Sequence, residues 1–170
     1  MRSTDLRLLP DGRSIRVALR LGGMSMLATR VASGSDEDVI ADRWESGTSL
    51  PAMAAAFPAF GSVELAEARE RGDTTEYQWR DYYENPGRWW YLERMRTLID
   101  AAFAEPRLRA VQPSLISHYT VLRLHLPRGS VPSAQRIADD SYLVRTADRR
   151  EVGTGDGPRA VELLLRVLGS

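Results

Sequence analysis

Period-two alternation at both ends of the chain, with helical spacing between, limits what this sequence can fold into. Near the N-terminus Ile15, Val17, Leu19 and Leu21 alternate with Arg16, Ala18 and Arg20. Turn signals flank them at Pro10-Asp11-Gly12 and Gly22-Gly23. Alternation of this kind marks half-buried strands, so residues 5–32 read as a meander. Toward the C-terminus Gln135–Ala138, Tyr142–Arg145 and Glu151–Gly153 read as a second meander, turning at Asp139-Asp140 and Asp148-Arg149. Helices grouped between strands argue against a doubly wound parallel sheet. The expectation is one α+β domain, with a mainly antiparallel sheet from the two meanders and a central group of about five helices on one side of it.

The helical stretch has its own punctuation. Ser35 with Asp38 forms a capping-box pattern, and the acids at 36–38 suit a helix N-terminus rather than a metal cluster. Val39, Ile40 and Trp44 would be buried before a stop at Gly47. Thr48 or Ser49 caps the next helix, with Pro51 tolerated in its first turn. Ser62 caps a third helix that runs to Gly72. On it Glu64, Glu67 and Glu70 repeat every three residues among Arg69 and Arg71, the pattern of a solvated, ion-paired face. Tyr91, Met95, Leu98 and Ala102, widened by Leu92, Ile99 and Phe103, form an apolar stripe. Pro106 ends that helix.

The stretch from Ala101 to Leu126 holds both histidines, His118 and His125. Thr120, Leu122, Leu124 and Leu126 share one parity; Tyr119, Val121, Arg123 and His125 share the other. If the strand begins by His118, that imidazole faces inward with the leucines, and His125 is wet. His118 is then either a hydrogen-bonded core residue or a site residue able to titrate near neutral pH. As a site residue it would be a general acid or base, with Arg109 and Arg123 the nearest cations to orient a substrate carboxylate or carbonyl.

Composition removes several chemistries. All 23 basic residues are arginine, which excludes a Schiff-base lysine, a lysine base and a phosphate-loop lysine. The chain has no cysteine, hence no thiol nucleophile or thiolate metal site. The histidines are seven residues apart with opposite parity, a poor metal pair, so neither metal nor cofactor is expected. Net charge is zero, which implies no general pull on nucleic acid or membrane. No run of about 18 apolar residues and no leader pattern is present, so the cytoplasm is the default location. Gly153-Thr154-Gly155-Asp156-Gly157-Pro158 superficially resembles a dinucleotide-binding turn, but no strand follows the last helix to complete the unit; Asp156 reads instead as a helix N-cap.

The zone from Tyr77 to Tyr91 is dense in aromatics: Tyr77, Trp79, Tyr82, Tyr83, Trp89, Trp90 and Tyr91. Neighbouring aromatics cannot all point inward, so some of them are expected to line a groove. Trp79, Tyr83, Trp89 and Trp90, with Ser117, are the candidate substrate contacts.

Ala104, Pro106, Leu108-Arg109, Pro113, Ser117-His118 and the apolar strand after them resemble a bacterial domain family of unknown function described as natural product biosynthesis proteins. The resemblance extends upstream through Trp44, Gly47, Ser49-Leu50, Phe57-Pro58, Ala68, Gly72 and Gln78-Trp79, covering roughly residues 36 to 168. It implies a pathway rather than a reaction, and it carries the Ser117-His118 pair onto the candidate site. Two functions are compatible with it. One is a cofactor-free tailoring enzyme acting on a peptide-derived intermediate, with a ribosomal peptide as one source. The other is a non-catalytic protein that carries such an intermediate in an aromatic groove. Either has a small-molecule or peptide partner, and a homodimer is compatible with both.

Overall fold

A computed structural model describes residues 1–34, 36–85, 92–116, 120–126, 129 and 131–169. By their internal contacts these form two compact units, Met1–Asp73 and Thr74–Ser170. The α+β class and the antiparallel strand pairing are as expected. The two meanders, however, form two sheets rather than one.

In the first unit β1 (Arg2–Leu8), β2 (Ser14–Leu21) and β3 (Met24–Ala32) make an antiparallel sheet in sequence order. Gly22 and Gly23 both take positive φ, 58° and 83°, as a two-residue hairpin turn that follows strand twist requires. At the other turn the Asp11 carboxylate accepts from the Arg13 and Ser14 amides, each at 3.1 Å. These bonds, with the Ser14 hydroxyl, hold its pKa below the ordinary carboxylate value. Three helices follow: α1 (Glu37–Glu45), α2 (Leu50–Ala56) and α3 (Val63–Arg71). Ser49 and Ser62 cap α2 and α3 through their hydroxyls, and Gly72 closes α3 in the left-handed conformation. Ser35 lies outside the described residues; at that end Glu37 accepts from the Gly34 amide at 2.7 Å. Val17, Leu19 and Leu27 of the sheet are buried, as are Ile40, Trp44, Met53, Phe60 and Leu65 of the helical segment. The Trp44 indole N–H donates to the carbonyls of Ser3 and Arg20 at 3.0 and 3.1 Å, tying α1 to two strands.

The second unit begins with α4 (Thr74–Glu84). After a 3-10 turn at Leu92–Met95 come α5 (Arg96–Ala104) and the short α6 (Pro106–Arg109). Five strands follow as a meander: β4 (Gln112–Ile116), β5 (Val121–His125), β6 (Ser133–Ala138), β7 (Ser141–Arg145) and β8 (Glu151–Gly155). The chain closes with α7 (Gly157–Gly169). Leu122, Leu124, Ala134, Tyr142 and Val144 point from the sheet into one core with Leu98, Ile99, Ala102, Ala160 and Leu164 of α5 and α7. Leu122 and Leu124 are buried while Arg123 and His125 are exposed, the alternation read from the sequence. Period-two alternation in the sequence marks no strand at 112–116, where Pro113 interrupts the amide pattern of a strand. Pro113 instead lies in β4, an edge strand, where a residue without an amide hydrogen is tolerated.

Asp156 caps α7, accepting from the Arg159 amide at 2.9 Å. Gly157 is required for a different reason. A Cβ built there would stand 2.5 Å from the Thr97 carbonyl carbon and oxygen and 2.8 Å from the Leu98 nitrogen. Those are backbone atoms of α5 and cannot swing aside. Gly157→Ala is therefore expected to destabilise the protein by about 1–3 kcal/mol through overpacking. Chemical denaturation measures this, and an unchanged midpoint would show that α7 docks less tightly than described.

Candidate functional site

The residues nominated from sequence fall into three groups. Ser117, His118, Trp89 and Trp90 lie outside the described residues. Trp79 is a correction: it is fully buried, and its indole N–H donates to the Val111 carbonyl at 2.9 Å. It anchors α4 to the approach of β4 and lines no open surface. The remaining three are described and serve different surroundings.

Tyr83 is part-exposed and stacks on Phe103, with centroids 4.2 Å apart and planes 6° from parallel. The Arg96 guanidinium lies 5.1 Å from the Tyr83 ring, and that of Arg109 lies 4.7 Å from the Phe103 ring. Arg109 is also held by Glu76 at 3.2 Å. Glu76 in turn belongs to an i,i+4 ladder with Arg80 and Glu84. Arg109 thus joins α6 to α4. Arg123 projects from the exposed face of β5, opposite Ser114 on β4 and Ser133 on β6. Arg109 and Arg123 thus stand on different elements, the one held against α4 and the other on the exposed face of β5. On that same exposed face His125 Nε2 and the Ser114 hydroxyl are 2.7 Å apart.

An open cleft of about 320 Å³ lies elsewhere in this unit, lined by Glu93, Arg94, Arg96, Thr97, Arg136, Asp139, Asp140 and Tyr142. Three short elements assemble it. The 3-10 turn brings Glu93 and Arg94, and the first turn of α5 brings Arg96 and Thr97. The β6–β7 hairpin supplies the rest: Arg136 and Tyr142 are cross-strand partners, and Asp140 turns the chain with φ 46°. The Tyr142 hydroxyl meets the Thr97 hydroxyl at 2.9 Å, and Thr97 donates to the Asp140 carboxylate. Arg136 pairs with Asp139, and Arg96 with Asp100 at 2.8 Å.

Sequence reading missed this cleft. Asp139-Asp140 form the turn that the sequence predicts, and nothing in the spacing joins them to Thr97, more than 40 positions upstream. The usable signal was a tyrosine placed directly after a turn, on the inward parity of a strand.

Burial raises the Tyr142 pKa above its ordinary 10.0, and the Asp140 charge adds to the effect; the hydrogen bond with Thr97 opposes both. The hydroxyl is therefore a proton donor at neutral pH rather than a base. The cleft accordingly offers guanidinium groups, carboxylates and a hydroxyl pair, a set suited to holding a polar molecule.

No protein-family model, curated protein or solved structure matches this chain. No described helix is long and apolar enough to cross a membrane.

Tyr142→Phe removes one hydroxyl while keeping the ring in the core. It should cost about 1 kcal/mol, the usual net value of such a hydrogen bond. The raised pKa adds a pH signature. The stability that this group contributes is fully present below pH 10 and is lost as pH rises through the folded value. Unfolding curves of wild type and Tyr142→Phe should therefore converge in alkali. A constant gap between them up to the alkaline limit of folding would disprove the assignment.

Proposed function

We propose that the protein serves natural product biosynthesis by binding a small zwitterionic, peptide-derived intermediate in the cleft of its second unit, holding it rather than transforming it. The supporting observation is the charge pattern of the lining: Arg94, Arg96 and Arg136 stand among Glu93, Asp139 and Asp140 around the Tyr142–Thr97 hydroxyl pair. Guanidinium groups take a carboxylate bidentately, and carboxylates take an ammonium group. A molecule with both charges uses both sets; a purely anionic or cationic one meets repulsion from half of the lining. The titratable hydroxyl is held protonated, which suits hydrogen bonding better than proton abstraction. The pathway rests on the family resemblance that covers roughly residues 36 to 168.

Dipeptides with free termini are suitable probes. At tenfold over its dissociation constant such a ligand stabilises the fold by about 1.4 kcal/mol. Alanyl-alanine should raise the melting temperature, and its N-acetylated, C-amidated analogue should not. Arg136→Ala should remove the response. Equal shifts with free and blocked dipeptides, or with Arg136→Ala, would count against the proposal.

A second reading is a cofactor-free tailoring enzyme with His118 as general acid or base. It rests on the family resemblance, which carries the Ser117-His118 pair onto the candidate site; His118 itself lies outside the described residues, and β5 begins only at Val121, so its alternation does not extend to that histidine. On this reading His118→Ala lowers product formation by about 10²–10⁴-fold while the protein stays folded. His125→Ala, on the exposed face, has little effect. Mass spectrometry of the pathway product, alongside melting curves of both variants, decides the matter; a folded His118→Ala protein with full output ends this reading.

A further inference from the structure

The first unit carries a charge arrangement that its own fold does not neutralise. Arg7 lies directly opposite Arg16 in the register of β1 and β2, and Arg16 lies directly opposite Arg30 in that of β2 and β3. Three arginines from three strands therefore form one row on one face of the sheet. Like charges directly opposite each other destabilise a sheet. Arg30 is relieved by Asp11. Among the described residues, the side chains of Arg7 and Arg16 have no hydrogen-bond or ion-pair partner. Arg7 and Arg30 are exposed and Arg16 is half-buried. The wider composition repeats the pattern: residues 1–32 carry six arginines against two carboxylates, and residues 33–73 carry three arginines against nine carboxylates. The net neutrality of the chain conceals a cationic sheet.

We propose that this row is a docking surface for an acidic polypeptide segment of a partner. Neighbouring strands are about 4.8 Å apart, and the Cβ atoms of residues three or four positions apart on a helix are about 5–6 Å apart, so an acidic helix face matches the row. Each carboxylate can then take a guanidinium bidentately. Two other anionic surfaces fit less well. The same face carries Ser3, Asp5, Ser14 and Arg20 with the buried Ala18 and Ala28, and no aromatic ring on which a base could stack. The exposed leucines Leu6 and Leu8 have the opposite parity to Arg7, so no apolar group stands beside the arginines to enter a lipid surface.

The test uses the full chain and a fluorescein-labelled helical peptide of about 15 residues, with glutamate at every third or fourth position and alanine between. Fluorescence anisotropy at low salt should show saturable binding that fades as salt is raised. The double variant Arg7→Ala/Arg16→Ala should weaken binding by about tenfold or more. Its melting temperature should stay level or rise, because the substitutions relieve repulsion. Arg149→Ala, an exposed change in the second unit, should bind as wild type does. The proposal is overturned by absent binding, by unchanged binding in the double variant, or by a lowered melting temperature there, which would make the row structural. Tighter binding of single-stranded DNA than of the peptide also overturns it. So does salt-sensitive self-association that the double variant abolishes, since a second copy would then cover the row.

Discussion

The contact of Gly157 with the backbone of Thr97 is the constraint on which the second unit depends. It lets the N-terminal end of α7 lie directly on the first turn of α5. Both helices contribute to one core against the five-stranded sheet. The backbone of Thr97 meets α7 while its side chain meets Tyr142 and Asp140 on the β6–β7 hairpin. Helix packing and cleft geometry therefore share a single residue. A shift of α5 away from α7 would move the Thr97 hydroxyl relative to the hairpin, so the cleft inherits its shape from an approach that only glycine permits.

The first unit is organised differently. Its sheet has three strands, and its helices are anchored by polar contacts to strand backbone as well as by apolar burial. The Trp44 indole spans two strands, and the Arg2 guanidinium lies 4.3 Å from the same ring. The Glu45 carboxylate accepts from the Thr4 amide at 3.0 Å, occupying a donor on edge strand β1 that could otherwise recruit another strand. Polar sealing of one edge and an unneutralised row on one face are separate features of this sheet. The first occupies one edge donor, and the second leaves side-chain recognition open.

What could be read in the sequence follows from how local the determining physics is. Hairpin turns at Gly22-Gly23 and Asp139-Asp140, serine caps at Ser49 and Ser62, and the Asp156 cap all rest on contacts within a few residues, and all are present. The parity of β5 was legible because one face is buried and the other is not. Three features were not legible. The separation into two sheets depends on which strands meet, and alternation does not encode that. Trp79 was counted with the exposed aromatics because crowding in sequence does not say which ring turns inward; its indole finds Val111 more than 30 positions away. The cleft depends on Thr97 and Tyr142 meeting across 45 positions.

The exclusive use of arginine links the two surfaces. A lysine row would shed part of its repulsion by lowering its pKa, whereas a guanidinium keeps its charge throughout the range in which proteins fold. The repulsion among Arg7, Arg16 and Arg30 is therefore permanent, relieved only by an external anion or by neighbours such as Asp11. In the cleft the same permanence has the opposite consequence. Arg136 and Arg96 are already paired with Asp139 and Asp100, so an incoming carboxylate competes with existing partners instead of meeting bare charge. Such exchange favours a ligand that supplies its own cation to the displaced carboxylate. Two surfaces built from one residue type thus differ because Arg7 and Arg16 have no counter-ion among the described residues, whereas Arg96 and Arg136 carry theirs.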